Sequence, residues 1–346
     1  MGNKIEVGIL GATGTVGQRF ATLLADHPWF EVTFLGASDR SAGKPYREAC
    51  SWQLEGAPPA GIGERIVEEC VPGRAPKLVF SSMSAKEAGE IEAAFAAAGH
   101  LVVSNSSHFR MAADVPLLIP EVNADHLAVV AEQQKAKGWS GAIVTNPNCS
   151  TIVLASALAP LRQFGLSRVV VSTMQAVSGA GYPGVPSLDI IGNVVPYIGG
   201  EEEKMQSETQ KILGGDGGRA PHAVRISAHT NRVPVIDGHT MTVSVEFSAS
   251  PGVAAVVEAL RSFRGRPQEL GLPTAPCPAI EVRLEPDRPQ PRLDAERGDG
   301  MTVSVGRVRE CQVFHVKFVA LAHNVVRGAA GAAILNAELM VAENMV

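Results

Sequence analysis

Ile5-Glu6-Val7-Gly8-Ile9-Leu10-Gly11-Ala12-Thr13-Gly14-Thr15-Val16-Gly17 is the stretch on which the fold turns. Ile5 to Leu10 is apolar and β-rich, and Val16 to Asp26 has a helical pattern. Between them three glycines follow a G-x-x-G-x-x-G spacing, which departs from the stricter G-x-G-x-x-G. The physical logic is shared: glycine permits a tight turn, close approach of backbone to a pyrophosphate, and close packing of helix on strand. A strand before the turn and a helix after it make nucleotide binding the expected role. An ordinary tight βα turn is the competing explanation.

Working outward, Glu31 to Leu35 reads as a second strand. Leu78 to Ser82, Leu101 to Ser104, Leu117 to Ile119 and Ala142 to Thr145 are further short apolar runs. Helical patterns lie between several of them, notably Ala85 to Ala98 and Ala124 to Lys137. This alternation predicts an α/β fold opening with a Rossmann-type, doubly wound parallel sheet. Beyond residue 150 the texture changes. Arg168 to Met174, Thr240 to Ser248, Met301 to Val308 and Gln312 to Leu321 read as longer strands, and Gly252 to Phe263 as a helix. They predict a second, α+β domain with a mixed, largely antiparallel sheet. Gly179 to Gly200 is rich in Gly and Pro and lacks a period, so it reads as a functional loop or an interface arm. Val325 to Glu343 reads as one Ala-rich helix. The expected division is a nucleotide domain over 1–147, completed by 325–346, and a catalytic and dimerisation domain over 148–324.

At 346 residues the chain is long for one domain, and its 45% hydrophobic and 19% charged content is that of a globular protein. A net charge of -5 argues against an electrostatic nucleic-acid binder. No apolar run reaches membrane-span length and no signal peptide is visible after Met1; the cysteine usage makes a reducing cytoplasm the expected setting. The five cysteines are widely spaced and lack a C-x-x-C pair, which argues against a disulfide framework or a metal site.

One cysteine stands apart. Cys149 lies in Asn146-Pro147-Asn148-Cys149-Ser150-Thr151, between the strand-like Ala142–Thr145 and a helical run from Thr151 to Leu158. A thiol at a helix start faces the positive end of the helix dipole, which favours thiolate, and backbone N–H groups there are candidate oxyanion donors. Cys50, Cys70, Cys277 and Cys311 read as small hydrophobes. Of nine histidines, His239 is the leading proton partner for the thiol. It ends Arg232-Val233-Pro234-Val235-Ile236-Asp237-Gly238-His239, where the odd offset would put Arg232 and His239 on opposite faces of a plain strand. Pro234 and Gly238 break that regularity, so periodicity does not decide whether the two share a pocket.

At the end of the second strand, Ser38, Arg40, Ser41 and Lys44 suit a 2′-phosphate, whereas Asp39 would suit a free ribose 2′-hydroxyl. NADP is therefore preferred to NAD. Gly11, Thr13, Gly14, Thr15, Val16, Gly17, Ser38, Arg40, Ser41 and Ser82 are the candidate cofactor contacts.

Five segments in order complete a resemblance: Gly11–Gly17, Asn146–Thr151, Gln175-Ala176-Val177-Ser178-Gly179, Glu201-Glu202-Glu203-Lys204 and Arg232–His239. Together with Asp287–Arg292 and Asn324–Gly331, they resemble the archaeal and fungal branch of the aspartate-β-semialdehyde dehydrogenases over nearly the whole chain. The resemblance implies that Cys149 forms an acyl-enzyme thioester, that His239 is general acid/base, and that Gln175 orients the acyl group. It implies Arg232 and Glu201 as partners of the substrate carboxylate and ammonium. Asn148 is a further substrate contact, Arg110 and Lys204 bind phosphate, and Ser178, Gly179 and Asn324 lie near the nicotinamide. Arg is the residue suited to bidentate carboxylate recognition. The implied reaction is NADPH-dependent reductive dephosphorylation of L-4-aspartyl phosphate to aspartate semialdehyde, a step toward lysine, threonine and methionine, in a homodimer or homotetramer. A malonyl-CoA-type thioester reductase, an N-acetyl-glutamyl-phosphate reductase and a non-catalytic NADP or redox sensor are the rival readings. Glu202 and Glu203 compete with Glu201 for the ammonium role.

Overall fold

The computed structural model describes residues 4–346. Its first sheet has six strands, all parallel: β1 (Ile5–Leu10), β2 (Phe30–Ala37), β3 (Glu68–Glu69), β4 (Leu78–Ser81), β5 (Leu101–Ser104) and β6 (Ala142–Thr145). Their spatial order is β3-β2-β1-β4-β5-β6, so the order reverses beside β1. In open parallel sheets that reversal, at the C-terminal strand ends, is where a ligand crevice forms. Strands β4, β5 and β6 are buried along their whole length, as their unbroken apolar runs require. Leu10, Phe34, Val79, Phe95, Val102 and Ile143 pack together in one core.

The second sheet is mixed. It comprises β7 (Leu166–Gln175), β8 (Arg225–Arg232), β9 (His239–Phe247), β10 (Ile280–Arg283), β11 (Val303–Glu310) and β12 (Val316–Ala322), in the order β10-β11-β12-β9-β7-β8. The three inner pairings, β11–β12, β12–β9 and β9–β7, are antiparallel, and the two outer ones are parallel. Helices Cys149–Leu158 and Glu201–Leu213 pack on this sheet, the first on β9, β11 and β12 and the second on β8.

The chain divides into two compact units. One contains the residues up to Leu118, Asp125–Asn146 and Ala333–Val346; the other contains Ile119–Ala124 and Pro147–Ala332. Among the described residues no helix is long and apolar enough to cross a membrane.

Three local expectations need correction, and one strand was not anticipated. Leu117 to Ile119 is not a strand: Leu117 alone bridges Thr145, because Pro116 and Pro120 bracket the run and withhold two N–H groups. Ala124 to Lys137 opens as a 3₁₀ turn over Ala124–Ala128 before the α-helix Val129–Lys137. Val325 to Glu343 is not one α-helix; a π-helical turn over Val326–Ala330 precedes the helix Gly331–Ala342. Strand β8 carried little apolar signal, since its buried positions are Ala228, Thr230 and Arg232.

Candidate active site

Three strand ends meet at Cys149. Strand β7 lies between β8 and β9, with Gln175 paired to Arg232 across one edge and Met174 to Thr240 across the other. His239 precedes Thr240, so Gln175, Arg232 and His239 line up at one end of the sheet. Laterally paired residues share a face. The odd offset between Arg232 and His239 therefore has no bearing on their orientation, because they sit on different strands. Gly179 fits against both; a Cβ there would lie 3.0 Å from Arg232 Nη1 and 3.0 Å from His239 Cε1.

Cys149 opens the facing helix and is half-buried, with Sγ 3.2 Å from His239 Nε2. Asn148 caps that helix: its Oδ1 accepts from the N–H groups of Ser150 and Thr151 at 2.9 and 3.2 Å. Its own N–H donates to the buried Glu208 carboxylate at 2.7 Å. A buried, charge-assisted bond of this kind fixes the turn. On the far side of the thiol, a Cβ at Gly328 would lie 2.6 Å from Cys149 Cβ. The π-helical turn thus presses bare backbone against Cys149.

Glu201 is the acid that enters this cluster. It is buried, and its Oε1 accepts from Asn148 Nδ2 at 2.8 Å and from Gln175 Nε2 at 3.0 Å. Gln175 is held at its other end by Thr173, two residues back on the same strand face, whose hydroxyl donates to Gln175 Oε1 at 3.0 Å. Glu202 instead accepts from the Thr230 N–H at 3.0 Å, and Glu203 is exposed. Lys204 Nζ stands 3.9 Å from Glu201 Oε2. Arg232 donates through Nη1 to the Ala176 carbonyl at 2.7 Å. Burial pulls its pKa down, opposed by the negative charge of Cys149 and Glu201. Asn324 ties two loops together, accepting from the Gly238 N–H and donating to Ser178 Oγ, both at 2.8 Å.

His239 is fully buried, and its pKa is pushed down to about 3 by that burial, then by Arg232 and His323. Its Nδ1 accepts from the Ala176 N–H at 3.1 Å. Thr173, Glu208, Gly328, His323 and the Ala176 N–H were not singled out from sequence. Thr173 alone was within reach of it, through the i, i+2 rule on a strand already recognised.

The other group of candidates lies in the first unit. Gly11 has φ +74°, and a Cβ at Gly17 would lie 2.3 Å from the Gly11 carbonyl oxygen. Both positions therefore demand glycine. Gly14 is the N-cap of the helix Thr15–Leu24 and offers no side-chain acceptor, so the first N–H groups of that helix, at Thr15, Val16 and Gly17, are suited to an anion. A cavity of about 470 Å³ is lined by Gly11, Thr13, Gly14, Ser38, Arg40 and Ser82 among others. Ser82 Oγ donates to the carbonyls of Leu10 and Gly11 at 3.1 Å, tying the turn to β4. Asp39 folds its carboxylate onto the Arg40 N–H at 2.8 Å, and Arg40 itself is exposed. Ser41 N–H bonds the Ser38 carbonyl within the same turn. These residues fit a phosphorylated dinucleotide. Arg110 is buried and donates to the Asn105 carbonyl at 2.7 Å.

A dinucleotide-type turn in one unit and a thiol–imidazole pair at a helix start in the other are features found together in dehydrogenases. Comparison with known proteins narrows the class. Residues 6–130 match the semialdehyde dehydrogenase NAD binding domain, and residues 158–327 match the semialdehyde dehydrogenase dimerisation domain. The chain is 51% identical to the aspartate-semialdehyde dehydrogenase of Archaeoglobus fulgidus, covering 99% of this chain and 100% of that one. It is 44% identical to that of Saccharomyces cerevisiae over 100% of both chains. The solved aspartate-semialdehyde dehydrogenase of Candida albicans, described with NADP, superposes with a TM-score of 0.91 at 44% identity, covering 99% of this chain and 100% of that one. The chain belongs to the aspartate-semialdehyde dehydrogenase family.

Proposed function

We propose that this protein carries out the NADPH-dependent reductive dephosphorylation of L-4-aspartyl phosphate to L-aspartate 4-semialdehyde and phosphate. The observation that carries the reading is the 3.2 Å approach of Cys149 Sγ to His239 Nε2, flanked by the buried Glu201 and Arg232. The family supplies the substrate class, in a pathway toward lysine, threonine and methionine. Roles follow from the chemistry of each side chain. Cys149 attacks the acyl carbon: a C–S bond forms, the C–O bond to phosphate breaks, and phosphate departs with the electron pair. Arg232 offers a fork to the α-carboxylate and Glu201 a counter-charge to the ammonium. Gln175, held between Thr173 and Glu201, orients the acyl group. Arg110 and Lys204 supply positive charge for phosphate. When bound, NADPH supplies the hydride that takes the thioester to the aldehyde level. The residues of the Gly11–Gly17 turn, with Ser38, Arg40, Ser41 and Ser82, hold that cofactor, and Ser178, Gly179 and Asn324 lie toward its nicotinamide. The first unit is the cofactor domain and the second the catalytic one. A second copy of the chain is the expected partner, in the cytoplasm.

The test runs the reaction backwards. Aspartate semialdehyde added with NADP should give phosphate-dependent absorbance of NADPH at neutral pH, and CoA should not replace phosphate. Cys149→Ser should lower turnover by at least about a thousand-fold, the scale set by loss of a catalytic nucleophile, while NADPH binding persists. CoA-dependent turnover, or a fully active serine variant, would defeat the proposal.

A further inference from the structure

The Gly11–Gly17 turn can hold a pyrophosphate only if its peptide groups face the right way. A phosphate is drawn to N–H groups and repelled by carbonyl oxygens, and the two point in opposite directions across each trans peptide. A peptide flip beside glycine meets little steric resistance, so each plane needs a hold. The Leu10 carbonyl accepts from the Ser82 N–H at 3.0 Å and the Gly11 carbonyl from the Gly14 N–H at 3.1 Å. Both also accept from Ser82 Oγ. The Gly14 carbonyl takes the first helical bond, from the Gln18 N–H at 2.8 Å. The Ala12 and Thr13 carbonyls, in the middle of the turn, rest on two other side chains. Tyr46 Oη donates to the Ala12 carbonyl at 2.9 Å, and Gln18 Nε2 donates to the Thr13 carbonyl at 3.0 Å.

Both side chains are buried and themselves held. Gln18 Nε2 also donates to the Ser51 carbonyl at 3.0 Å, and Gln18 Oε1 accepts from the Gln53 N–H at 2.8 Å. Two carbonyls on one end and an N–H on the other fix which way the amide faces. The Tyr46 ring meets Trp52 edge to face, with centroids 6.4 Å apart. Burial pushes the Tyr46 phenol up from its usual pKa, so the hydroxyl keeps its proton and stays a donor. Gly11, Thr13 and Gly14 line the cavity of about 470 Å³, whereas Ala12, Tyr46 and Gln18 are buried behind it.

We propose that Tyr46 and Gln18 are positioning residues for the cofactor: by holding the Ala12 and Thr13 carbonyls from behind, they keep carbonyl oxygens off the pyrophosphate and the Thr13 N–H turned toward it. This rests on the cofactor turn proposed above and deepens it. Neither side chain lines the cavity, and both act through the backbone of the turn. The segment from Tyr46 to Gln53 thereby belongs to the cofactor site, although the glycine spacing does not reach it.

Tyr46→Phe tests this, since it deletes one hydroxyl and keeps the ring against Trp52. Titration of the full-length protein, followed by nicotinamide fluorescence, should show the Kd for NADPH raised about ten-fold, the scale of a buried carbonyl left without its donor. The Kd for NADH should rise by the same factor, because the two share the pyrophosphate. 2′-AMP, which carries the 2′-phosphate and no pyrophosphate, should compete as it does in the wild type. In steady state the KM for NADP should rise while that for aspartate semialdehyde holds. Gln18→Met, which keeps the length of the side chain and removes its amide, should shift the same constants in the same direction. Unchanged NADPH affinity in folded Tyr46→Phe would overturn the proposal. So would an equal loss of 2′-AMP binding, the mark of a loosened domain, or a loss confined to NADPH, the mark of an effect at the 2′-phosphate. Failure of the cofactor reading itself would look different: the wild type would bind neither dinucleotide.

Discussion

The buried, neutral imidazole of His239 ties the site to stability. The His239 pKa is held at about 3, whereas a histidine in an unfolded chain titrates near 6.5. Between these values the unfolded chain binds a proton that the native state refuses, so acid favours unfolding. The sign is that of a depressed histidine: stability is full above about pH 6.5 and is lost as pH falls toward about 3, by up to about 1.4 kcal/mol per pH unit. Urea midpoints measured from pH 7 down to pH 4 should fall more steeply for the wild type than for His239→Gln, which has nothing to titrate there. Parallel curves would mean that His239 is reached by water in the native protein. The same residue marks what a lone sequence can say. His239 was recognisable as the partner of Cys149, but its tautomer depends on the Ala176 N–H, a backbone group that no side-chain pattern encodes.

Elements decide where the nucleophile points. The Cys149–Leu158 helix is capped by Asn148 and braced from the other side by the π-helical turn Val326–Ala330. Gly328 is the contact point, and Gly328→Ala would put a methyl group 2.6 Å from Cys149 Cβ. Such contacts essentially require movement, and a displacement of about 1 Å at a reacting centre can cost about 100-fold in rate. The expected outcome is a drop of that size in kcat with a modest change in melting temperature. Wild-type kcat in a folded alanine variant would show that the turn does not set the position of the thiol. The turn was invisible in the sequence, because an Ala-rich run reads as continuous helix whether it is wound tightly or widely. By contrast the Gly11–Gly17 turn was readable, since two of its three glycines are demanded by local backbone geometry: Gly11 by its positive φ and Gly17 by its approach to the Gly11 carbonyl. The shared pocket of Arg232 and His239 was not readable. It depends on β7 inserting between β8 and β9, a long-range pairing that an offset along the chain cannot report.

At the scale of the molecule, the second sheet leaves an unfinished surface. Along β7 the burial alternates: Val169 and Val171 are 1% and 0% exposed, while Val170 and Met174 are 41% and 36% exposed. β7 is an inner strand, so this is the face of the sheet and not its edge. Exposed apolar residues on the face of an inner strand are positions a second copy could cover. The match of residues 158–327 to a dimerisation domain agrees with covering by a second copy. Flanking Arg168 and Glu246 pair with each other across β7 and β9. Val170→Glu would place a charge there that a dimer must desolvate, at a cost large against typical interface energies. In sedimentation velocity the wild type should run as a dimer or larger, and Val170→Glu should shift toward monomer at micromolar concentration with its circular dichroism retained. A monomeric wild type, or a variant that sediments like it, would place the interface elsewhere. Because Gln175 and Arg232 stand at the end of β7 and of its neighbour β8, loosening this face should also reach the site. Loss of kcat/KM in step with dissociation, at protein concentrations spanning the transition, would identify the dimer as the active form.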